Sequence, residues 1–187
     1  MKLIVGLGNP EKKYINTRHN AGFLFLDRVQ EKFLYMGDIY ATEWREETTF
    51  NSLLSFIKKG STILAILQKP LTYMNNSGAM VSKVIEKYEV GSPSENLILI
   101  HDDLDLKLGK FKIQQGKSPL GHNGVKSVEQ KVGITDFQRV RIGIENRYDS
   151  KIPGEDYVLM NFTKEERIIL DETLEEATKS LLAEILL

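Results

Sequence analysis

Strand-like apolar runs alternating with amphipathic helical stretches predict an α/β fold in a single domain spanning residues 1–187. Three observations carry this. The chain opens on a buried-strand run, Lys2-Leu3-Ile4-Val5, closed by Gly6-Leu7-Gly8. Similar Ile/Leu/Val-rich runs recur with helix-period stretches between them. A chain of 187 residues, 41% hydrophobic, can also bury roughly 70% of the surface its unfolded form exposes without needing staples.

Strands are expected at 2–7, 49–57, 62–68, 96–101, 110–115 and 138–144. Lys58-Lys59-Gly60-Ser61 reads as a hairpin turn between the second and third, which makes the sheet mixed. Helices are expected near 20–35, where Phe23, Leu26, Val29 and Phe33 share a face, at 78–88 (Val81, Val84, Ile85, Tyr88) and at 123–132 (Val125, Val128, Val132). A last helix opens on the capping-box pattern Thr163-Lys-Glu-Glu166 and runs close to the C-terminus. Residues 145–157 are polar and turn-rich and read as a surface loop.

The chain has no cysteine, which excludes disulfides, thiolate metal sites and a cysteine nucleophile and permits a reducing compartment. The N-terminal apolar run is too short for a signal peptide, and no run approaches the roughly 18 apolar residues of a membrane span. A cytoplasmic protein without a membrane role is expected. Net charge is −1, but it is unevenly spread: −1 over residues 1–106, +6 over 107–151 and −6 over 152–187. The basic middle segment is a candidate footprint for phosphates, set against the simpler reading of a solvated mixed-charge surface.

The opening Gly6-Leu7-Gly8 invites a dinucleotide fingerprint, but that reading fails. The third glycine position is Glu11, a carboxylate facing a pyrophosphate, and Pro10 interrupts the turn. What remains is a polar loop at the end of a buried strand, the usual place for a site in an open α/β sheet. Asn9 and the stretch to His19 fall there.

The three histidines, His19, His101 and His122, all stand at boundaries between strand, loop and helix. Asp102 closes the run Asn96-Leu-Ile-Leu-Ile-His101 at a strand end. Adjacent to His19, it would fix the tautomer and stabilise the imidazolium formed when His19 takes a proton. There is no G-x-S-x-G elbow, so water is the simplest nucleophile, and an ester suits a His–Asp pair better than an amide. The cluster His101, Asp102, Asp103, Asp105 invites a metal, but neighbours on a strand point to different faces. No metal and no cofactor are expected. Asn9, Asn75 and Asn123 stand in loops or at helix starts, where caps and turns are their ordinary use; an amide can also grip a peptide backbone or an oxyanion.

In order along the chain come Gly6-Leu-Gly-Asn-Pro10, Tyr14, Thr17-Arg-His-Asn20 with Gly22, Lys69-Pro70-x-Thr-Tyr-Met-Asn75 with Ser77-Gly78, His101-Asp-Asp-Leu-Asp-Leu106, Gly121-His-Asn-Gly124 and Arg139-x-Arg-Ile-Gly143. Together these resemble the bacterial peptidyl-tRNA hydrolase family over roughly residues 1–165. The resemblance implies a twisted mixed sheet flanked by helices. It also implies monomeric action without a metal, and hydrolysis of the ester between a peptide and the 3′ ribose of tRNA. It implies His19 as general base and Asp102 as its orienting acid. Asn9, Asn75 and Asn123 would hold the peptide and the reacting carbonyl, Tyr14 would lie near the tRNA 3′ end, His122 would support the pair, and Arg141 would meet the 5′ phosphate.

Several residues depart from the family pattern. Lys117-Ser-Pro-Leu120 stands where a glycine-rich approach is usual, so a stiffer loop and a cleft narrowed by Leu120 are expected. Gln114 occupies a position usually basic, with Lys110, Lys112 or Lys117 as substitutes, and Glu11 replaces a usual glycine. The final helix is acidic, so its Ile168, Ile169, Leu174, Leu181, Leu182 and Ile185 are expected to pack on the sheet rather than serve tRNA. A binding module on the same fold, as in plant relatives acting in intron splicing, is the competing reading. It predicts loss of His19, Asp102 or an asparagine, and all are present.

Overall fold

The computed structural model describes residues 1–34, 37–116 and 121–186, with side chains through residue 183. The expected stiff loop at Lys117–Leu120 and the packing of Ile185 lie outside the described residues. The elements are β1 (Lys2–Gly6), α1 (Ala21–Phe33), β2 (Ile39–Ala41), β3 (Arg45–Glu47), β4 (Ser52–Lys59), β5 (Thr62–Pro70), α2 (Ser77–Lys87), α3 (Pro93–Asn96), β6 (Leu97–Lys107), β7 (Phe111–Gln115), α4 (Asn123–Val132), β8 (Gln138–Glu145), α5 (Gly154–Tyr157) and α6 (Lys164–Leu186). Eight strands form one sheet in the order β2-β4-β5-β1-β6-β8-β7, with β3 also on β4. The centre, β5-β1-β6-β8, is parallel. The β4–β5 hairpin and the β7–β8 edge are antiparallel, so the sheet is mixed as expected.

Period two explains why the central strands read as unbroken apolar runs. In β1, Ile4 faces one layer with α1 and α6, while Leu3 and Val5 face the other with α2 and α4; in β6, Ile98 and Ile100 split from Leu97 and Leu99 in the same way. Both faces are covered, so alternation in polarity disappears. α1 buries Phe25, Leu26, Val29 and Phe33, with Phe23 only half-buried. α4 stops at Gly133, whose φ of 81° is the left-handed cap conformation. The capping box at α6 is formed: Thr163 N donates to Glu166 Oε2 at 2.9 Å and Glu166 N donates to Thr163 Oγ1 at 3.2 Å.

The structure corrects some expectations. β6 continues past His101 to Lys107, because β8 keeps pairing with it through Asp103. The strands β2 and β3 are three residues each, too short for any alternation to show in the sequence. Residues 145–157 are not only a surface loop, since they end in α5 with a buried Tyr157. On α6, Leu174 and Leu181 are buried and Leu182 partly so, but Ile168 and Ile169 face solvent.

One close approach positions the site. A Cβ on Gly22 would lie 2.5 Å from Leu7 N and 2.6 Å from Ile100 O, so only glycine lets the start of α1 press onto the ends of β1 and β6. This brings the Arg18-His19-Asn20 turn beside Asn9 and Asp102.

Candidate active site

Asn20, just before α1, clamps the β1 loop: Asn9 N donates to Asn20 Oδ1 and Asn20 Nδ2 donates to Asn9 O, both at 2.9 Å. The clamp fixes the Asn9 backbone and leaves its side chain for other work. Asn9 lines the cavity described below, and its Oδ1 is buried with no partner among the described residues. A buried acceptor without a partner is costly, so this oxygen has unused hydrogen-bonding capacity beside the cavity.

His19 and His122 converge on one carboxylate oxygen. His19 Nδ1 lies 2.9 Å from Asp102 Oδ1, and His122 Nε2 lies 3.0 Å from the same atom. The tautomers follow from the neighbours. Val125 N donates to His122 Nδ1 at 3.3 Å across the first turn of α4, so the hydrogen of that ring is on Nε2 and is given to Asp102. An ionised Asp102 accepts from His19 Nδ1–H as well, which leaves the lone pair of His19 on Nε2.

Electrostatics agree with this arrangement. Burial alone would raise the Asp102 pKa, but the charges and hydrogen bonds of His19 and His122 hold it well below the usual carboxylate range. For His19, burial works against the charged form, yet the Asp102 charge and hydrogen bond win and raise its pKa above the ordinary imidazole value. His101 is different. Fully buried, with Nδ1–H donating to Asp102 O at 2.7 Å, it is pushed far down by burial and by the nearby His122 ring.

A cavity of about 550 Å³ opens over this cluster. Asn9, His19, Asn75, Asp102, His122 and Asn123 all line it, which brings together six of the eight residues singled out in the sequence. Asn123 is the first residue of α4, so the positive end of a ten-residue helix faces the same space. Tyr14 does not line the cavity; Tyr73 does, with its hydroxyl donating to Glu11. Arg141 is also elsewhere. It is buried, with Nε donating to Asp103 Oδ2 at 2.6 Å and Nη1 to Gln114 Oε1 at 3.1 Å. Its guanidinium is therefore met inside the protein rather than displayed to a phosphate.

His19, Asp102 and His122 also form the group, among the described residues, whose donor atoms lie within 4.8 Å of one another and could share a metal ion. The wider cluster weighed in the sequence does not assemble, because His101 turns to a carbonyl and Asp103 to Arg141.

Sequence reasoning missed the far wall of the cavity: Leu104, Glu155, Val158 and Leu159. Its position depends on residues distant in sequence. His19 N donates to Val158 O at 2.8 Å, Arg18 N to Met160 O at 3.1 Å, and Thr17 bridges Asn161 antiparallel. No local pattern announces a pairing of that range. Tyr73 and Met74 stand beside Asn75 in one motif, and that adjacency was a usable signal.

Comparison with known proteins agrees with this architecture. The family model for peptidyl-tRNA hydrolase matches residues 3–186. The peptidyl-tRNA hydrolase of Thermodesulfovibrio yellowstonii is 42% identical over 186 residues, covering 97% of this chain and 90% of that protein. The Bacillus subtilis enzyme of the same name is 40% identical, covering 96% and 89%. The crystal structure of the Acinetobacter baumannii peptidyl-tRNA hydrolase superposes with a TM-score of 0.78 at 27% identity, covering 99% of this chain and 92% of that one. A peptidyl-tRNA hydrolase crystallised with n-propanol gives 0.81 at 28% identity, covering 99% and 90%. The match runs almost from end to end, and the chain belongs to the peptidyl-tRNA hydrolase family.

Proposed function

We propose that this hydrolase cleaves the ester between the peptide and the 3′ ribose of peptidyl-tRNA by activating water on His19. The observation that carries the mechanism is the shared Asp102 oxygen, which takes a hydrogen from each of two imidazoles and leaves His19 Nε2 as the free base at the cavity. Nε2 takes a proton from water as the oxygen attacks the ester carbonyl carbon. Asp102 stabilises the imidazolium so formed. The negative oxygen of the tetrahedral intermediate is met by amide N–H groups of Asn75 or Asn123 and by the positive end of α4. On collapse the carbonyl carbon–ribose oxygen bond breaks, the His19 proton passes to the ribose oxygen, and peptide acid and free tRNA leave.

Asn9 Oδ1 supplies an acceptor for a peptide N–H, which answers its unmatched burial. His122 and the α4 cap hold Asp102 in place. Tyr14, half-buried a few residues before His19, is assigned to the tRNA 3′ end, and Arg141 is given no direct phosphate contact. The water-based route requires no metal or cofactor, the enzyme acts as a monomer, and a substrate made in translation suits work in the cytoplasm.

The direct test is cleavage of N-acetyl-aminoacyl-tRNA beside unblocked aminoacyl-tRNA, wild type against His19→Ala. Cleavage of the blocked ester alone, lost in the variant, is expected. A wild type that binds tRNA and cleaves neither ester would favour the binding-module reading.

A further inference from the structure

We propose that His101, the histidine that the proton transfer itself does not use, is a positioning residue for it. Its one imidazole holds the Asp102 backbone where β6 has lost a neighbouring strand, and it backs the ring of His122. This role rests on the hydrolase reading above and deepens it, by a side chain that acts through Asp102 and His122 rather than on the substrate.

β6 needs a support at this point. It pairs with β1 as far as Gly6 and Ile100, and Leu7 N still donates to Ile100 O at 2.9 Å. Successive carbonyls of a strand point to opposite edges, so Asp102 O faces the same edge as Ile100 O. By then β1 has ended. The backbone N–H of Asn9, two residues past Leu7, goes to Asn20 Oδ1 instead. On the other edge β8 keeps its register through Asp103 and then slips before Lys107. Asp102 is buried, and a buried carbonyl left by its strand needs a donor. His101 Nδ1–H supplies one at 2.7 Å. The residue so fixed carries the carboxylate oxygen shared by His19 and His122.

The same ring has a second contact. The three imidazoles stand in a row: the centre of the His122 ring lies 4.9 Å from that of His19 and 5.0 Å from that of His101, the latter pair meeting edge to face at 70°. His19 and His122 line the cavity, whereas His101 is fully buried, so it backs His122 from the core side.

A neutral ring of one tautomer meets both needs. Nδ1 carries the hydrogen, and Nε2 is left buried without a partner among the described residues. A proton on Nε2 would put a charge in the core beside His122. Burial and that neighbour outweigh the opposing pull of Asp102 and Asp103 and push the His101 pKa down to about 3. The ring is therefore neutral wherever His19 titrates. An apolar side chain would avoid the unpartnered nitrogen; what a histidine adds here is the Nδ1–H donor.

Two variants and one spectrum test this. His101→Phe keeps an aromatic ring and removes the donor, while His101→Asn returns a donor through its amide nitrogen. On N-acetyl-aminoacyl-tRNA, His101→Phe is expected to lower kcat about tenfold with KM within about twofold of wild type. The midpoint of its pH–rate profile should fall toward the ordinary imidazole value, because a loosened Asp102 raises His19 less. His101→Asn is expected to recover the wild-type midpoint and kcat to within about threefold. In the wild type, nitrogen-15 shifts of the rings should show His101 neutral with its hydrogen on Nδ1 from about pH 5 to 8. A His101→Phe enzyme with wild-type kcat, or one slowed with its midpoint unmoved, would overturn the positioning role. So would a His101→Asn enzyme as slow as His101→Phe. A wild-type ring that is protonated, or that carries its hydrogen on Nε2, would overturn it as well, and that spectrum needs no variant to fold. A wild type that cleaves neither blocked nor unblocked ester would instead remove the hydrolase reading, with the place of the His101 hydrogen still decided by the spectrum.

Discussion

The two walls of the cavity are held by different means. One wall is an outgrowth of the core: Asn9 follows β1, Asp102 lies within β6, and His122 and Asn123 open α4. The other, Leu104 apart, is made of short irregular backbone, and it is fixed by bridges to the His19 turn and by the buried Arg18–Glu166 pair. The core-built wall carries the proposed acid–base pair, where tenths of an ångström matter. The strapped wall carries the half-buried Val158 and the exposed Leu159, held by hydrogen bonds between stretches distant in sequence. His19 belongs to both, since its ring bonds Asp102 while its backbone N–H bonds Val158 O.

This division can be broken in several ways. The largest effect belongs to His19→Ala, which is expected to lower kcat about 10³-fold or more with unfolding unchanged within about 1 kcal/mol. Rates on N-acetyl-aminoacyl-tRNA and denaturant melts check it, and a substantial residual rate would remove His19 from the base role. Arg18→Met acts on the other wall. Leaving Glu166 buried without its cation is expected to cost about 3–5 kcal/mol of stability. At a temperature where the variant is folded, KM should rise while the midpoint of the pH–rate profile stays put; a shifted midpoint would show that the strapped wall tunes the base. The smallest effect is the sharpest on mechanism. His122→Ala removes one of the two hydrogens on Asp102 Oδ1, so more of the carboxylate charge falls on His19. The His19 limb should move to higher pH. A fixed midpoint would mean that His122 serves only as the cap of α4.

The core-built wall was legible in the sequence because its signals are local. Residues of the β1 run alternate faces in the structure, and glycines at 6, 8 and 22 mark where α1 meets the sheet. The family resemblance carried by the ordered motifs implied one site for His19, Asp102, Asn9, Asn75 and Asn123, and these five line one cavity. The strapped wall was not legible. Val158 and Leu159 reach the site through a pairing some 140 residues long in sequence, and nothing in ENRYDSKIPGEDY signals it. The environment of Arg141 was not legible for a related reason. The resemblance implies a phosphate contact there, and Asp103 meets its guanidinium across β6 and β8, a pairing visible only once the strands lie side by side. Ile168 and Ile169 have the spacing of core residues in a helix that turns its opposite face inward, with Leu170 and Leu174.

The most direct measurement is the pH dependence of kcat/KM on N-acetyl-aminoacyl-tRNA for wild type and Asp102→Asn. In the wild type, His19 must lose its proton to act, so the rate rises through a midpoint above the ordinary imidazole value. With the carboxylate charge removed, burial alone acts on His19. The midpoint should then fall below the ordinary value while the plateau drops about 10²-fold or more, because the imidazolium loses its partner. A midpoint unmoved by the substitution, or a plateau at the wild-type level, would contradict the pairing of His19 with Asp102 as the source of catalysis.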